Sequence, residues 1–203
     1  MNLADIIQAL GVIILGFFTY NQYTKNKLTD LKVEQLKHID KVRSKKRLDN
    51  SMRTYEELWN TLYVLKCDRI YIIQPHPLGN EDMLSIYFEV KRRSVEGMKG
   101  EIQNKKISEV AKFAGLLARE NFMYITDIEK QVEDRYAQHI FGLLDSKNIV
   151  IKKLFDNKYD WVGTIVCEFQ SDMKTPESET KHIMHQVATN IQYILPEIDE
   201  RED

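Results

Sequence analysis

The sequence predicts an α+β fold in which an N-terminal transmembrane helix and a helical stalk precede a mostly antiparallel sheet flanked by helices. Three observations predict it: an uncharged run of about 18 residues near the N-terminus, about 40 residues without proline or glycine after it, and β-rich segments alternating with amphipathic ones thereafter. The 203 residues are 43% hydrophobic and 30% charged, which excludes a wholly disordered or fibrous chain. With 8 glycines and 4 prolines, we expect one folded domain plus an extension.

Residues 1–24 are predicted to form a membrane anchor. The run 6–23 (IIQALGVIILGFFTYNQY) carries no charge, and as a helix it would cover roughly 27 Å, close to the ~30 Å hydrocarbon core of a bilayer. A secretory signal peptide is one alternative, but residues 1–5 lack Lys and Arg, and FFTYNQ is a poor cleavage context. A buried globular helix is the other, because the run is short for a membrane span.

Residues 25–47 are predicted to form a basic helical stalk. They hold nine basic residues against three acidic ones, so the positive-inside rule places the C-terminal part in the cytoplasm. Five basic side chains are expected to contact anionic lipid: Lys41, Arg43, Lys45, Lys46 and Arg47. A solvated helix face is the alternative. No aromatic residues interleave with this cluster and no base-reading motif follows it, so a nucleic-acid partner is not expected.

A folded domain is predicted over residues 48–195, with an acidic tail at 196–203. The domain begins with the second half of the long helix, whose apolar stripe is predicted to pack on the rest of the domain. The stripe comprises Leu48, Tyr55, Leu58, Leu62 and Leu65, with Met52 and Trp59 beside it.

Strands and helices then alternate along the chain. Two β-rich runs, 69–74 and 83–90, are predicted to form a hairpin around a turn cluster at 75–80, and 95–106 to form a loop. Amphipathic spacing predicts helices at 107–120 and 129–144 on either side of a short strand at 122–125. A second hairpin is predicted from 148–155 and 161–169. A last helix follows, with Thr175 as its N-cap and Pro176 at its first position.

Four segments in this order resemble the GAF family of small sensor domains: 124–129 (YITDIE), 141–155 (FGLLDSKNIVIKKLF), 161–166 (WVGTIV) and the helix after 172–176 (DMKTP). The resemblance covers about residues 48–195 and implies a GAF/PAS-like sheet flanked by helices. One membrane helix followed by such a domain also resembles the holins of T-even phages. Those proteins time lysis by assembling in the inner membrane, with a periplasmic globular domain.

The GAF resemblance implies a mostly apolar ligand pocket between the sheet and its covering helices. Seven residues are candidates for its lining: Tyr71, Ile73, Phe88, Tyr124, Asp127, Tyr136 and Lys152. The alternative for each aromatic residue is that it fills the core. The residues by which some GAF domains bind cyclic nucleotides or anchor chromophores have no clear counterparts here, so no cofactor is expected.

Catalytic motifs are not found in the sequence. There is no P-loop, no G-x-G-x-x-G and no G-x-S-x-G. His182 and His185 are three residues apart, but a metal site needs three or four ligands, so no metal is expected. Cys67 and Cys167 have no framework spacing, and Cys167 is expected to be a buried, inert thiol.

These predictions combine into a non-enzymatic, single-pass protein of the inner or cytoplasmic membrane. Its GAF-like domain would bind a small ligand or a protein partner, and the chain would self-associate into a homo-oligomer through anchor and stalk. The alternative is a holin-like lysis protein that oligomerises to permeabilise the inner membrane while its globular domain receives an inhibitor.

Overall fold

A computed structural model of the protein describes residues 3–76 and 82–195. The chain divides into two compact units, residues 1–48 and 49–203. The elements in chain order are α1 (Leu3–Leu65), β1 (Arg69–His76), β2 (Met83–Lys91), β3 (Lys105–Lys106), α2 (Ala111–Arg119), β4 (Phe122–Ile125), α3 (Ile128–Gln131), α4 (Arg135–Gly142), β5 (Asn148–Phe155), β6 (Trp161–Phe169) and α5 (Glu177–Ile191).

Helix α1 is one uninterrupted helix of 63 residues, as expected for a chain segment rich in helix formers. It includes both the predicted anchor and the predicted stalk. The side chains of residues 3–15, which make up most of the anchor, lie outside the described residues, as does the predicted acidic tail at 196–203. In the part of the chain that the structure describes, no helix combines the length and the apolar character needed to cross a membrane.

The predicted apolar stripe of α1 is only partly correct. Leu58, Leu62 and Leu65 are buried in the domain core, whereas Leu48 is 62% exposed and Met52 is 55% exposed. The buried stripe instead includes Thr54 and Thr61. Each donates its hydroxyl to a carbonyl four residues earlier, at 2.9 and 2.7 Å. Because their polar groups are satisfied within the helix, these threonines can enter the core where a periodicity of apolar residues would not place them.

Within residues 3–76 and 82–195, six strands form a single antiparallel sheet in the order β3-β2-β1-β6-β5-β4. The predicted hairpins are present as β1–β2 and β5–β6, and the second of them has the predicted bounds. At Gly163 on β6, an added Cβ would lie 3.1 Å from the Ile73 carbonyl oxygen, so β1 and β6 approach closely there. The short edge strand β3 falls in the predicted 95–106 loop. Residues 77–81 of the predicted turn lie outside the described residues.

Both faces of the sheet are covered, and each has its own apolar cluster. We call them the α2–α4 face and the α5 face. The α2–α4 face includes Tyr71, Ile73, Ile86, Ile151 and Val166, packed with Phe113 of α2 and Phe141 of α4. The α5 face includes Ile70, Ile72, Phe88, Val150 and Cys167, packed with Leu58 and Leu62 of α1 and Met184 of α5.

The helices differ from the prediction mainly where an aspartate caps a turn. The predicted helix 129–144 is two helices, because the Asp134 carboxylate accepts the Ala137 N–H at 3.0 Å and starts α4 separately. Asp127 caps α3 in the same way, through the Lys130 N–H. Helix α2 begins at Ala111 rather than at 107. Pro176, rather than Thr175, is the N-cap of α5.

Candidate ligand-binding site

Four buried polar residues form a connected network on the α2–α4 face. Arg69 and Tyr71 lie on β1, Glu168 lies on the adjacent β6, and Ser146 lies just before β5. The Arg69 guanidinium donates from Nε to Glu168 Oε2 at 2.7 Å, and its Nη2 lies 2.5 Å from the same oxygen. The Tyr71 and Ser146 hydroxyls also donate to the Glu168 carboxylate. All four residues are buried, so the carboxylate is satisfied entirely by protein groups.

The same guanidinium attaches two connecting segments to the sheet. Arg69 Nη1 donates to the Glu96 carbonyl at 2.9 Å, and Nη2 donates to the Leu144 carbonyl at 3.1 Å and to Ser146 Oγ at 2.7 Å. Burial raises the pKa of the Glu168 carboxyl, although Arg69 acts in the opposite direction. Burial and then the Glu168 charge raise the pKa of Tyr71 well above its usual value. Through these contacts, Arg69 connects β1 and β6 to the segments around Glu96 and Leu144 at one end of the α2–α4 face.

A groove of about 640 Å³ opens between α2 and the segment that joins α3 to α4. This volume falls within the roughly 300–1,000 Å³ typical of small-molecule sites. Lys112 and Arg119 line the α2 wall, and Glu133 and Asp134 line the opposite wall. The remaining lining residues are Ala111, Gly115, Leu116, Glu120, Gln131 and Val132. The groove is therefore lined by both signs of charge, with Lys112 and Arg119 on α2, Glu120 at the end of that helix and the two carboxylates opposite, which suits a ligand that carries both charges.

Gly115 gives the groove part of its width. An ideal Cβ built on this residue meets no atom within 4 Å, so the space beside the helix is open. A second groove of about 390 Å³ begins on the other side of the same residue and is bounded by Asp160 and Trp161. Both grooves share Ala111 and Gly115, so α2 presents a surface of small side chains between them.

The structure places three of the seven predicted pocket residues on the α2–α4 face. Tyr71 and Ile73 are buried there, and Tyr136 packs its ring at 70° to that of Phe113, with 5.7 Å between centroids. Burial and then the Glu109 charge raise the pKa of Tyr136. None of the three lines the groove beside α2.

The other four lie elsewhere. Phe88 and Tyr124 belong to the α5 face, where the Tyr124 hydroxyl donates to the Thr175 carbonyl at 2.8 Å. Lys152 lies on the same face, between Val150 and Leu154 along β5. Asp127 caps α3 and pairs with Lys130 at 2.6 Å, which lowers the pKa of its carboxyl through that hydrogen bond. The seven residues therefore do not line one pocket, and their binding of a ligand stays a prediction.

Lys152 is unusual among them. It is 5% exposed, and its Nζ donates to the Asn121 side-chain oxygen at 2.5 Å. Burial, and then repulsion from Lys181, lower its pKa.

The predicted lipid-contacting residues Lys41, Arg43, Lys45, Lys46 and Arg47 are all exposed on α1, and their contact with lipid stays a prediction. Both cysteines are buried. Over residues 3–76 and 82–195, no group of three or more His, Cys, Asp or Glu is arranged to hold a metal ion.

Sequence reasoning missed Arg69, Glu168 and Gly115. The two charged residues stand at the ends of predicted strands, where an exposed position is the usual expectation. One signal was present: both alternate in phase with apolar residues of the face that the network occupies, Arg69 with Tyr71 and Ile73, and Glu168 with Val166.

No family model matches this sequence, and no curated protein matches it. The fold is similar to solved GAF domains. The blue-light-absorbing PixJ GAF domain of Thermosynechococcus elongatus has a TM-score of 0.59 at 11% identity, covering 74% of this chain and 87% of that one. A GAF domain of Synechocystis in its photoproduct state gives 0.56 at 14% identity, covering 72% and 90%.

A phycoerythrobilin-bound GAF domain from a cyanobacterial phytochrome gives a TM-score of 0.54 at 12% identity, covering 75% of this chain and 94% of that one. At such identities the similarity concerns the fold alone. It confirms the prediction of a GAF-like domain.

Proposed function

We propose that this chain is a non-enzymatic, sensor-type protein whose GAF-like domain binds a small ligand or a protein partner in the groove beside α2. One observation carries the proposal: a domain with a GAF-like fold, the fold of a phycoerythrobilin-bound GAF domain, has an open groove of about 640 Å³ lined by both cationic and acidic side chains. The solved GAF domain with phycoerythrobilin supports ligand binding by this fold. The face of the sheet beneath α2 is filled by buried side chains, which favours the groove over the interior of the domain.

The end of α1 supplies a route for a signal. Leu58, Leu62 and Leu65 belong to the core of the α5 face, so the last turns of α1 pack directly on the sheet. At the end of α1, Arg92 Nη2 donates to the Lys66 carbonyl at 2.8 Å and Nε donates to the Cys67 carbonyl at 3.1 Å. A ligand that favours one packing of the domain would shift the population of α1 arrangements, provided that its affinities for the two differ.

The groove is tested with a variant that fills it. Gly115→Leu adds a side chain where a Cβ meets nothing within 4 Å, so the domain should fold normally while the groove loses volume. Thermal unfolding would be measured for the full chain against bilins, nucleotides and amino acids. We expect a compound that raises the midpoint of the unmodified chain to have no effect on Gly115→Leu.

Gly142→Leu is the matched control, because its Cβ also meets nothing within 4 Å and the residue does not line the groove. Equal responses of the two variants to the same compound would contradict the groove as the binding site.

Membrane attachment and self-association form the second part of the proposal. They are supported by the uncharged run 6–23 and the basic cluster 41–47 of the sequence. Flotation of the full chain with vesicles containing anionic lipid tests the attachment. Recovery of the chain at the bottom of the gradient would contradict it.

Dye leakage from cells that express the chain distinguishes the tether from the holin-like alternative. An intact membrane is expected for a sensor or tether, and rapid leakage would favour a lysis protein.

A further inference from the structure

The side chain of Lys152 is buried without an ion pair to any residue that the structure describes. The residue is 5% exposed, and its Nζ contacts an amide oxygen of Asn121 rather than a carboxylate. Among the ion pairs of the described residues, none involves Lys152. Buried lysines are normally paired, because an ammonium ion loses its hydration when it leaves water. This residue is therefore an exception that needs a physical explanation.

A second ammonium group increases the positive charge at the same place. Phe122 on β4 pairs in register with Lys152 on β5, and the Lys181 Nζ of α5 lies 5.8 Å from the centroid of the Phe122 ring. Lys181 is near enough to Lys152 to lower its pKa by repulsion. Two like charges on one face destabilise each other, and an anion between them would remove both the repulsion and the lack of a partner.

The hydrogen-bonding capacity of this cluster is also incomplete. An ammonium group has three N–H donors, and the described contact of Lys152 with Asn121 uses one of them. Asn121 and Lys181 are both exposed, so a small solute can reach this edge of the α5 face. Charge-assisted hydrogen bonds from ammonium to oxyanion are short and strong, which suits carboxylate or phosphate oxygens.

We propose that Lys152 and Lys181, with Asn121 and Phe122 beside them, form a binding site for a small oxyanion, a carboxylate or a phosphate, between the β4–β5 edge of the sheet and α5. This site is on the opposite face of the sheet from α2. The proposal does not rest on the groove, and either site can fail its test without affecting the other.

The test measures the thermal unfolding and the binding heat of the full chain in inorganic phosphate, in acetate and in sodium chloride at matched ionic strength. For the unmodified chain we expect phosphate or acetate to raise the unfolding midpoint beyond the effect of chloride, and the arm with the larger increase identifies the anion class. In Lys152→Met we expect a midpoint in chloride equal to or above that of the unmodified chain, because an unpaired buried charge is gone. The increase in the oxyanion should then be lost.

Two further variants keep the test decisive. Lys181→Gln changes an exposed residue, so it should fold normally and weaken binding by about tenfold, the loss of one charge-assisted contact. Lys153→Met is the matched control, the next residue of β5 and less buried, and it should keep the full response. The proposal is overturned if neither oxyanion stabilises the unmodified chain beyond chloride, or if Lys152→Met and Lys181→Gln respond as the unmodified chain does.

Discussion

On the α2–α4 face of the sheet, the buried Arg69 and Glu168 contact each other, whereas on the α5 face the buried Lys152 contacts an amide. These three are the charged residues that are buried among those the structure describes. The Arg69–Glu168 pair is surrounded by hydrogen-bonding partners from the protein itself, including Tyr71 and Ser146. The difference teaches that burial alone does not define the role of a charge. The hydrogen bonds of the Arg69–Glu168 network are made within the protein, whereas the described contact of Lys152 uses one of its three N–H donors.

The largest expected effect comes from breaking the network. Arg69→Met leaves the Glu168 carboxylate buried without its cation, and the loss of one partner of a buried ion pair typically destabilises by about 3–5 kcal/mol. Urea unfolding of the full chain would measure the change in free energy.

The double variant Arg69→Met with Glu168→Met separates the pair from its surroundings. Because the double variant leaves no unpaired charge, we expect it to be more stable than Arg69→Met alone. A double variant whose loss equals the sum of the two single losses would show that the residues act independently.

The next largest loss of stability is expected from a comparison of two leucines that lie fourteen residues apart on α1. Leu62→Ala removes a side chain buried in the α5 face and should cost about 2–5 kcal/mol. Leu48→Ala changes a residue that is 62% exposed and should change the free energy of unfolding by less than about 0.5 kcal/mol. Both substitutions remove the same atoms from the same type of element, so similar losses would mean that Leu48 is buried by a partner in solution.

A smaller change in stability is expected as the pH is varied. The pKa of Glu168 is raised in the folded protein, chiefly by burial, so the folded state holds this proton more tightly than the unfolded chain. The resulting stabilisation is complete below the unfolded pKa of about 4.3 and is lost as the pH rises through the folded pKa. The free energy of unfolding should therefore fall with rising pH relative to Glu168→Gln, which cannot titrate.

Unfolding of both proteins between about pH 4 and pH 8 would measure this difference. A difference that grows with pH would show that the attraction of Arg69 outweighs burial and lowers the pKa of Glu168.

The smallest change in stability is expected from a substitution in α2, one of the helices that cover the α2–α4 face. Gly115→Ala should stabilise the domain by about 0.5–1 kcal/mol, because glycine in a helix interior loses more backbone entropy and the added methyl group meets no atom within 4 Å. Thermal unfolding measures it. A destabilised variant would indicate that the open space beside α2 is occupied.

The strands were the most predictable part of the fold. The β-branched runs 148–155 and 161–169 gave β5 and β6 their correct bounds, because burial on both faces leaves a continuous apolar signal. The helix break at Val132–Asp134 was not predicted. The apolar spacing of 129–144 continues across it, and Asp134 acts through a side-chain cap that periodicity does not register.

The polar network could not be predicted from local pattern, because Arg69 and Glu168 are 99 residues apart in the chain. Their contact depends on β1 pairing with β6. The composition of a strand does not determine which other strand it pairs with. From the sequence, Lys152 was named only as a candidate lining residue of a ligand pocket, and its burial beside Asn121 was not predicted. The groove at Gly115 was not predicted either, since it is formed by the spacing of α2 from a loop.

The contact between Arg69 and Glu168 also constrains how this chain can diverge. A lineage that loses either residue first passes through a form with a lone charge in its core, so single replacements should be purged and joint replacements tolerated. In an alignment of relatives, positions 69 and 168 should therefore change together. Ser146 contacts both residues, so it should be replaced only in relatives where positions 69 and 168 have also changed.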